Sequence, residues 1–442
     1  NSAGVDCSDN EVNIKIALAG AKRAGRIDEA GRVALLAQMT DEVADIVLED
    51  NRLQALALSI AAAGGAPAVA AQVRLIETLE QGGHLDRKTE GLADSDTLVR
   101  RAADGQGLTR PELAVLLSST KLVLQDALEG SALVDDPGLE GELLGKFPAP
   151  MREAFRQDIA EHRLRREIIA TRIANRMVNR LGLIHPFELV EEEGATLAQV
   201  TTAFVAAEQL LGMGTIWQGI ESQPMPEAAR ILLFDRAAAA MVNHMADLLR
   251  ISGGALTAGE LVSQLEGGVA LLSAATGRLL SHEGQALSTA LQERFAAAGA
   301  PADLAAAVAH LFDLDGSVGL AMLARQTGTK PEELTRAFVA LGHELGLDWA
   351  QQAAERLSPT DPWERLLVNS LARDIQHMRL DFLRRHAGDN GEPLAVVERW
   401  IGGQAAAIRQ FRAVVTRAQA APALSPTMLA QIGNQARNLL AR

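Results

Sequence analysis

The sequence has 442 residues and a mass of 46.9 kDa, enough for two or three domains or for one large helical assembly with a substantial core. Its 42 Lys and Arg residues against 56 Asp and Glu residues give a formal net charge of −14, unlike the basic surface that nucleic acids select. Tyrosine is absent and aromatic residues make up only 3% of the chain, so the core must consist mainly of aliphatic side chains, which disfavours a β-sandwich. We therefore expect no nucleic-acid partner.

Cysteine usage and hydropathy indicate the cellular compartment in which the protein is expected. Cys7 is the single cysteine, so no internal disulfide can form, and no spacing of Cys and His supports a metal site. The longest apolar stretch, residues 53–73, is interrupted by Gly64, Gly65 and Pro67, which predicts buried helix and turn and no membrane contact. These features favour a cytoplasmic protein without a bound metal.

The chain opens at Asn1 inside a polar, glycine-containing segment, without an initiating methionine or a signal peptide. We therefore expect it to be part of a longer protein. The segment, residues 1–13, leads directly into a predicted helix, whose first N–H groups and hydroxyls could face an anion. The alternative is a frayed terminus, which the spacing alone favours.

Apolar residues at three- and four-residue separations predict a long helix at 41–63, which ends at the Gly64-Gly65 pair. The same pattern recurs along the chain, and strand alternation is nowhere convincing. The further predicted helices cover residues 112–128, 163–181, 197–211, 227–249, 261–280, 363–383 and 396–415. The predicted fold class is all-α, a large multi-helix assembly similar to a helical bundle.

Helix start signals support this fold class. Ahead of five apolar runs, a hydroxyl or carboxylate that can accept a first-turn N–H is followed three residues later by Glu or Gln. These capping boxes pair Thr109 with Glu112, Thr196 with Gln199, Thr257 with Glu260, Thr329 with Glu332, and Asp361 with Glu364. Ser425-Pro426 marks one more start, because proline fits the first helical position.

The sequence contains no phosphate-binding loop, no Gly-x-Gly-x-x-Gly turn and no HExxH or Gly-x-Ser-x-Gly motif. Gly105-Gln106-Gly107 and Gly212-Met213-Gly214 lack the third glycine and a preceding strand, so we expect them at loops or helix ends. These patterns predict no catalytic, cofactor-binding or metal-binding residue in the chain.

The predicted helix at 161–181 carries a basic stripe. At 100° per residue, four of its arginines fall within about 80° of arc. They are Arg165, Arg172, Arg176 and Arg180, flanked by Asn175 and Asn179. The opposite side, which we expect to be buried, carries Leu164, Ile173, Ala174, Met177 and Leu181. The stripe could bind an anion, a nucleotide or a second subunit, but ion pairs with the chain's excess carboxylates are favoured.

None of the nine histidines forms a convincing pair. His162 and His185 flank the basic helix, and His244 and His377 lie within apolar helices. We expect all four to be structural histidines with satisfied hydrogen bonds. For Cys7 we expect a buried, inert thiol, although its place near a helix start could favour a thiolate.

The amino-terminal segment resembles a known family. Asn1-Ser2-Ala3-Gly4-Val5 followed by Ser8 resembles the Asn-Ala-Gly-Gly-Val-x-x-Ser stretch that closes the cofactor domain of glutamate dehydrogenases. The longer run through Asn13-Ile14-Lys15-Ile16 resembles the very large bacterial NAD-dependent class in particular. Ser2 and Ala3 depart from the smaller enzymes, which have Ala and Gly there, and Asn10 stands where His is more usual.

Two further stretches resemble the same class, LTRPELAVLL at 108–117 and LRREIIAT at 164–171. In that class such segments lie carboxy-terminal to the catalytic domain. The three matches follow one another in family order within residues 1–171, and the helical remainder is consistent with the family's carboxy-terminal region.

The resemblance implies an enzyme of amino-acid catabolism that oxidatively deaminates L-glutamate to 2-oxoglutarate and ammonium, with hydride passing to NAD. Ser8 occupies the family position that hydrogen-bonds the side-chain carboxylate of the substrate, and Asn1 the position near substrate and nicotinamide. The catalytic Lys and Asp and the NAD-binding turn would lie upstream. We therefore expect this chain alone to be inactive and to bind neither NAD nor glutamate.

The resemblance also predicts a domain organisation. Residues 1–25 are expected to end the dehydrogenase catalytic domain, and residues 26–442 to form an all-helical domain, with a division into two sub-bundles near 185–195 as one option. This domain would cover the catalytic domain and join the subunits of a homo-oligomer. The alternative is a free-standing helical scaffold or regulatory protein-interaction module whose first residues only mimic the dehydrogenase motif.

Overall fold

The structure, a computed structural model, describes residues 3–357, 359, 361–389 and 391–441. All regular elements in these ranges are helices, 23 α-helices and two short 3-10 helices, and the described residues include no strand. The predicted all-α fold class is confirmed. The chain forms two compact units. Unit 1 contains the residues up to Val190 with Thr196–Phe204 and Thr257–Gly259, and unit 2 contains Glu191–Ala195, Val205–Leu256 and the residues from Glu260 onward.

The helices are numbered in chain order. Unit 1 contains α1 (Ala3–Arg23), α2 (Glu29–Ala63), α3 (Gly65–Gln81), α4 (Ser95–Ala103), α5 (Arg110–Glu129), α6 (Glu140–Gly145), α7 (Ala149–Arg152), α8 (Arg156–Ala160) and α9 (Arg165–Leu181). Three helices have residues in both units, α10 (His185–Glu193), α11 (Leu197–Leu210) and α14 (Ala258–Leu279). The remaining helices of unit 2 are α12 (Met213–Ser222), α13 (Glu227–Ser252), α15 (His282–Ala297), α16 (Ala302–Asp313), α17 (Ser317–Thr327), α18 (Pro331–Leu345), α19 (Leu347–Arg356), α20 (Pro362–Arg385), α21 (Pro393–Gly403), α22 (Ala405–Gln419) and α23 (Pro426–Leu440).

The helix predicted at 41–63 is the second half of α2, which begins twelve residues earlier. Asp28 caps it, because its Oδ1 accepts the N–H of Gly31 at 2.7 Å. The predicted end at the glycine pair is correct, and α3 leaves at 109° to α2. Gly65 makes this corner with φ of 52°, a left-handed conformation that favours glycine.

The core of unit 1 forms mainly where α5 packs against α9. Leu113, Leu116 and Leu124 of α5 and Ile173 and Met177 of α9 are completely buried. Each set follows the three- and four-residue spacing of one helix face, so helical periodicity explains how α5 and α9 bury their apolar sides against each other.

The core of unit 2 contains the larger aromatic side chains. Trp217 of α12 stacks on Phe234 of α13 with ring centroids 5.3 Å apart. Phe382 of α20 meets Trp400 of α21 edge to face at 4.8 Å. Helix α20 packs against α18, α19 and α23, and its completely buried Ile375 belongs to the same apolar cluster as Phe382. The few aromatic residues of the chain thus act as core anchors.

Most predicted helix starts that the structure describes are confirmed. The N–H of Thr109 donates to Glu112 at 2.7 Å, and the N–H of Thr196 donates to Gln199 at 2.8 Å. At two further predicted starts, the carboxylate of Asp361 accepts the N–H groups of Trp363 and Glu364, and the hydroxyl of Ser425 accepts that of Met428. Helix α14 begins at Ala258, directly after the predicted cap residue Thr257. Local capping chemistry therefore fixed these helix starts.

Two sequence predictions on helix ends are wrong. The N-cap predicted at Thr329 lies one residue too early, because α18 begins at Pro331 with Lys330 in the N-cap position. The single helix predicted at 396–415 is two helices, α21 and α22, which break after Gly402 and Gly403. Glycine has the lowest helix propensity of any residue except proline, so two successive glycines break the helix here. The apolar spacing continues across this break, which is why it predicted a single helix.

Within the described residues, no single helix is long and apolar enough to cross a membrane. Two bent pairs reach that length and composition together, α2 with α3 and α16 with α17. The first pair contains the apolar stretch 53–73 that the sequence predicts as buried helix and turn, and Leu56, Val69 and Val73 in it are buried.

Candidate functional site

Ser8 is the sixth residue of α1 and is exposed to solvent. The sequence predicts that the polar, glycine-containing segment 1–13 leads into a helix. In the structure Gly4 and Val5 already belong to that helix, which has Asp6 in its first turn. The predicted substrate residue Asn1 lies outside the described residues. Ser8 is therefore inside α1 and does not occupy its N-cap position.

Ser8 lies on an exposed stripe of α1. Val5 and Val12 are 59% and 47% exposed, and they stand three residues before and four residues after Ser8, on the same face of the helix. We call Val5, Ser8 and Val12 the α1 stripe. Apolar side chains that share one exposed helix face are typical of a surface that another protein element covers.

The opposite face of α1 is buried in unit 1. Its buried residues are spaced as one helical face and comprise Asn10, Ile14, Ala17, Leu18 and Ala21. They pack against α2 and α8. The α1 stripe is therefore carried on a helix whose other side is fixed by core packing.

Polar contacts fix α1 along its length. Asn51 of α2 donates from Nδ2 to the carboxylate of Asp6 at 3.1 Å and to the carbonyl of Val47 at 2.8 Å. In the middle of α1, the Nε2–H of His162 donates to the carbonyl of Asn13 at 3.1 Å. Because Asp6 precedes Ser8 by two residues, the contact with Asn51 sets the position of the helix turn that bears Ser8.

Lys121 of α5 is a buried lysine that no pattern in the sequence predicted. Its Nζ is buried and has no hydrogen-bond partner among the described residues. Desolvation lowers the pKa of the Lys121 amine to about 8, against the opposing effect of the nearby Asp50 and Asp6 carboxylates. A lysine on the buried side of a helix has no local sequence signature, since only packing from other elements removes it from water.

Replacement of Lys121 by methionine should stabilise the protein at pH 7 by about 1–3 kcal/mol, because it removes a poorly paired buried charge. The native amine has a lower pKa than the unfolded one, so the wild-type free energy of unfolding should rise with pH between about 8 and 10.4. That rise should vanish in Lys121→Met. Urea denaturation at pH 7 and pH 10 measures both effects. Lys88→Met, at an exposed lysine, is the control, and a loss of stability in Lys121→Met at pH 7 would contradict the prediction.

The arginine stripe of α9 is largely ion-paired within unit 1. Arg172 and Arg176 both pair with Glu142 of α6, with 3.5 Å between the Arg172 Nε and a Glu142 oxygen. Arg165 pairs with Asp135 at 3.2 Å. The favoured interpretation, ion pairs with carboxylates of the chain, is supported for these three arginines. Each carboxylate is shared by two arginines, because Asp135 also pairs with Arg166.

The other side of α9 is buried nearly as predicted. Ile173, Ala174, Met177 and Leu181 are buried, whereas Leu164 is 38% exposed. The prediction for Leu164 is wrong because this residue precedes the helix as its N-cap, with φ and ψ of −104° and 27°. Helical periodicity applies only inside a helix, so a residue one position before its start does not follow the same face.

The predictions for Cys7 and the histidines have mixed outcomes. Cys7 is exposed, and the predicted buried thiol is wrong, because the side of α1 that carries it is not packed. His162 is structural as predicted, since its Nδ1 accepts the N–H of Leu164 and its Nε2–H donates to the carbonyl of Asn13. His244 is buried, and its Nε2 bonds to the carbonyl of Leu311 at 2.9 Å. Its Nδ1 has no partner among the described residues, so the predicted satisfied hydrogen bonds are only partly present. Desolvation lowers the pKa of His244. The described residues hold no group of three or more His, Cys, Asp or Glu side chains that could bind a metal ion.

The two short glycine motifs lie at helix ends, as predicted. Gly105 follows α4 with φ of 79°, and Gly212 is the N-cap of α12 with φ of 62°. A Cβ on Gly107 would lie 2.9 Å from the carbonyl carbon of Gly65, so Gly107 lets the two backbones approach closely. No strand precedes either motif in the described part of the chain, and these residues do not fit the strand–turn–helix unit that holds a dinucleotide.

Comparison with known families agrees with this architecture and with the sequence motifs. Residues 105–437 match the family described as the carboxy-terminal part of glutamate dehydrogenase, and residues 1–61 match the catalytic domain of bacterial NAD-glutamate dehydrogenase. The catalytic-domain match includes α1 and most of α2. The chain belongs to the glutamate dehydrogenase family.

The curated relatives of the chain are NAD-specific members of this family. Three proteins described as NAD-specific glutamate dehydrogenase match the chain, 32% identical over 91% of the chain in Halomonas elongata, 32% over 97% in Pseudomonas aeruginosa and 31% over 85% in Mycobacterium tuberculosis. The aligned parts cover 25%, 27% and 23% of those proteins. The chain thus spans about a quarter of their length, and the predicted resemblance to the bacterial NAD-dependent class is confirmed.

Proposed function

We propose that this chain is the helical carboxy-terminal portion of an NAD-dependent glutamate dehydrogenase, which converts L-glutamate, NAD and water to 2-oxoglutarate, ammonium and NADH in the cytoplasm. The chain's own role is structural. It covers the catalytic domain, forms one edge of the substrate site through α1, and joins the subunits of a homo-oligomer. By itself it is inactive.

The α1 stripe is the observation that carries this proposal. Val5 and Val12 are exposed on a helix whose opposite face is buried against α2 and α8, and the same segment matches a dehydrogenase catalytic domain. A rigidly anchored helix with an exposed apolar face is suited to complete another domain. The occupant of that face in our proposal is the catalytic domain of the same protein.

Within that site we assign Ser8 and Asn1 to substrate binding. The Ser8 hydroxyl, exposed on α1, donates a hydrogen bond to the side-chain carboxylate of glutamate, and Asn1 lies near the substrate and the nicotinamide. NAD supplies the hydride acceptor. Because the glycine motifs of this chain do not fit a dinucleotide, we assign NAD and the catalytic Lys and Asp to the preceding domain.

The 442-residue chain alone should show no dehydrogenase activity and no saturable heat in calorimetric titrations with NAD or L-glutamate. The physical reason is that the described helices offer no phosphate-cradling turn after a strand. The full-length protein, titrated under the same conditions, is the positive control. A saturable NAD isotherm in the micromolar range for the chain alone would contradict the assignment of the cofactor to the preceding domain.

A further inference from the structure

Unit 2 contains a cavity of about 620 Å³, a volume within the range of small-molecule sites. Helices from α13 to α20 contribute to its lining. Much of that lining is apolar and includes Leu272, Leu279, Leu287, Leu291, Leu320 and Phe338. The volume and these side chains suit the apolar body of a small organic molecule.

The charged side chains of this cavity favour an anion. Four arginines and three aspartates line it, Arg236, Arg294, Arg356 and Arg379 with Asp313, Asp315 and Asp348. Asp348 already pairs with Arg379 at 2.7 Å. Burial raises the pKa of Asp313 and of Asp315, which favours their uncharged forms. The cavity therefore has an excess of positive charge.

Arg379 lines this cavity, and two of its three nitrogens already donate hydrogen bonds. The residue is 3% exposed, and its guanidinium lies 4.1 Å from the centroid of the Phe338 ring. Its Nη1 donates to Asp348 and its Nη2 donates to Gln351 at 2.5 Å. The Nε–H is buried and has no acceptor within the described part of the protein. A buried donor left unsatisfied is costly, so an acceptor at this point would be stabilising.

Ser317 has a second unused polar group among the lining residues. It lines the cavity as the first residue of α17, it is 4% exposed, and its Oγ is buried without a partner among the described residues. The preceding Gly316 has φ of 80°, and a Cβ there would lie 3.5 Å from Cζ of Phe338. The backbone just before Ser317 thus lies close to the Phe338 ring on which the Arg379 guanidinium stacks, and both residues line the cavity. Together their unused groups match the oxygen atoms of an acid group.

We propose that this cavity binds a small amphipathic organic anion, with its acid group between the Arg379 Nε–H and the Ser317 hydroxyl and its apolar body along the leucine side chains. A carboxylate and a sulfonate share the chemistry that these donors recognise. The proposal stands on unit 2 alone and does not depend on the dehydrogenase assignment.

The test uses decanoate, decanol and inorganic phosphate as probes of the full chain. Decanoate should bind saturably in titration calorimetry and should displace the fluorescent probe anilinonaphthalene sulfonate. Decanol has the same apolar body without the acid and should bind roughly tenfold or more weakly. Phosphate has no apolar body and should not compete. Equal binding of decanoate and decanol, or displacement by phosphate alone, would overturn the proposal.

Substitutions of cavity residues test whether decanoate binds in this cavity. Ser317→Ala should lower the affinity for decanoate roughly tenfold, yet raise the melting temperature of the ligand-free protein, because it removes an unsatisfied buried hydroxyl. Leu287→Asp should lower the affinity roughly tenfold or more by placing a carboxylate in the apolar wall. Ser222→Ala, at an exposed serine of α12 outside the cavity, is the matched control and should leave binding unchanged. If both cavity variants bind decanoate as the control does, the proposal is wrong.

Discussion

Replacement of Arg373 by methionine should lower the free energy of unfolding by about 3–5 kcal/mol, the cost of removing one partner of a buried ion pair. Arg373 of α20 pairs with Glu192 and lies 3.5 Å from Glu193. The side chains of Arg373, Glu192 and Glu193 are only 10%, 3% and 5% exposed. Without Arg373, the one hydrogen bond left to the Glu192 carboxylate from the described residues would be the weaker one from Asn369 at 3.2 Å.

Urea denaturation of the wild type and of Arg373→Met measures this effect. Arg384→Met is the matched control, because Arg384 lies on the same helix and pairs with Asp381 at 2.7 Å, but both side chains are 43% exposed. Surface pairs of this kind contribute about 0–1 kcal/mol. The double variant Glu192→Met with Arg373→Met should recover most of the loss, since no unpaired charge stays buried. If Arg373→Met lowers the free energy of unfolding as little as Arg384→Met does, the ion pair of Arg373 with Glu192 is solvated and the prediction is wrong.

Ser8→Ala in the full-length enzyme should lower kcat/KM for glutamate roughly 10- to 150-fold, the effect of losing a hydrogen bond to a charged group. If Ser8 binds only the distal carboxylate of the substrate, most of this loss should appear in KM. Fold stability should change by less than about 0.5 kcal/mol, because Ser8 is exposed and lies inside α1.

Steady-state kinetics and thermal unfolding of the full-length variant test this prediction together. Ser118→Ala, at an exposed serine of α5, is the control for the substitution and should leave KM unchanged. A lowered melting temperature with an unchanged KM would show that Ser8 supports the helix and does not contact substrate. Ser8 lies inside α1 and not at its N-cap position, so it does not cap this helix.

Local signals predicted most of the fold. The repeated apolar spacing predicted helices such as α5, α9 and α13, and capping residues such as Thr109 and Asp361 predicted where helices start. The break between α21 and α22 was missed because the apolar spacing continues across Gly402 and Gly403, whereas helix continuity depends on backbone propensity at each residue.

The sequence alone determined the all-α fold class, through periodicity and capping chemistry that act within a few residues. Its motifs also indicated the family. The tertiary structure decided which polar groups are buried, because burial depends on elements far apart in the chain. Lys121, the pair of Glu192 with Arg373, and the cavity beside Arg379 and Ser317 all arise from contacts between separate helices. Such contacts produce no periodic pattern in the sequence, because each of these polar residues, taken alone, is like any other polar residue on a helix.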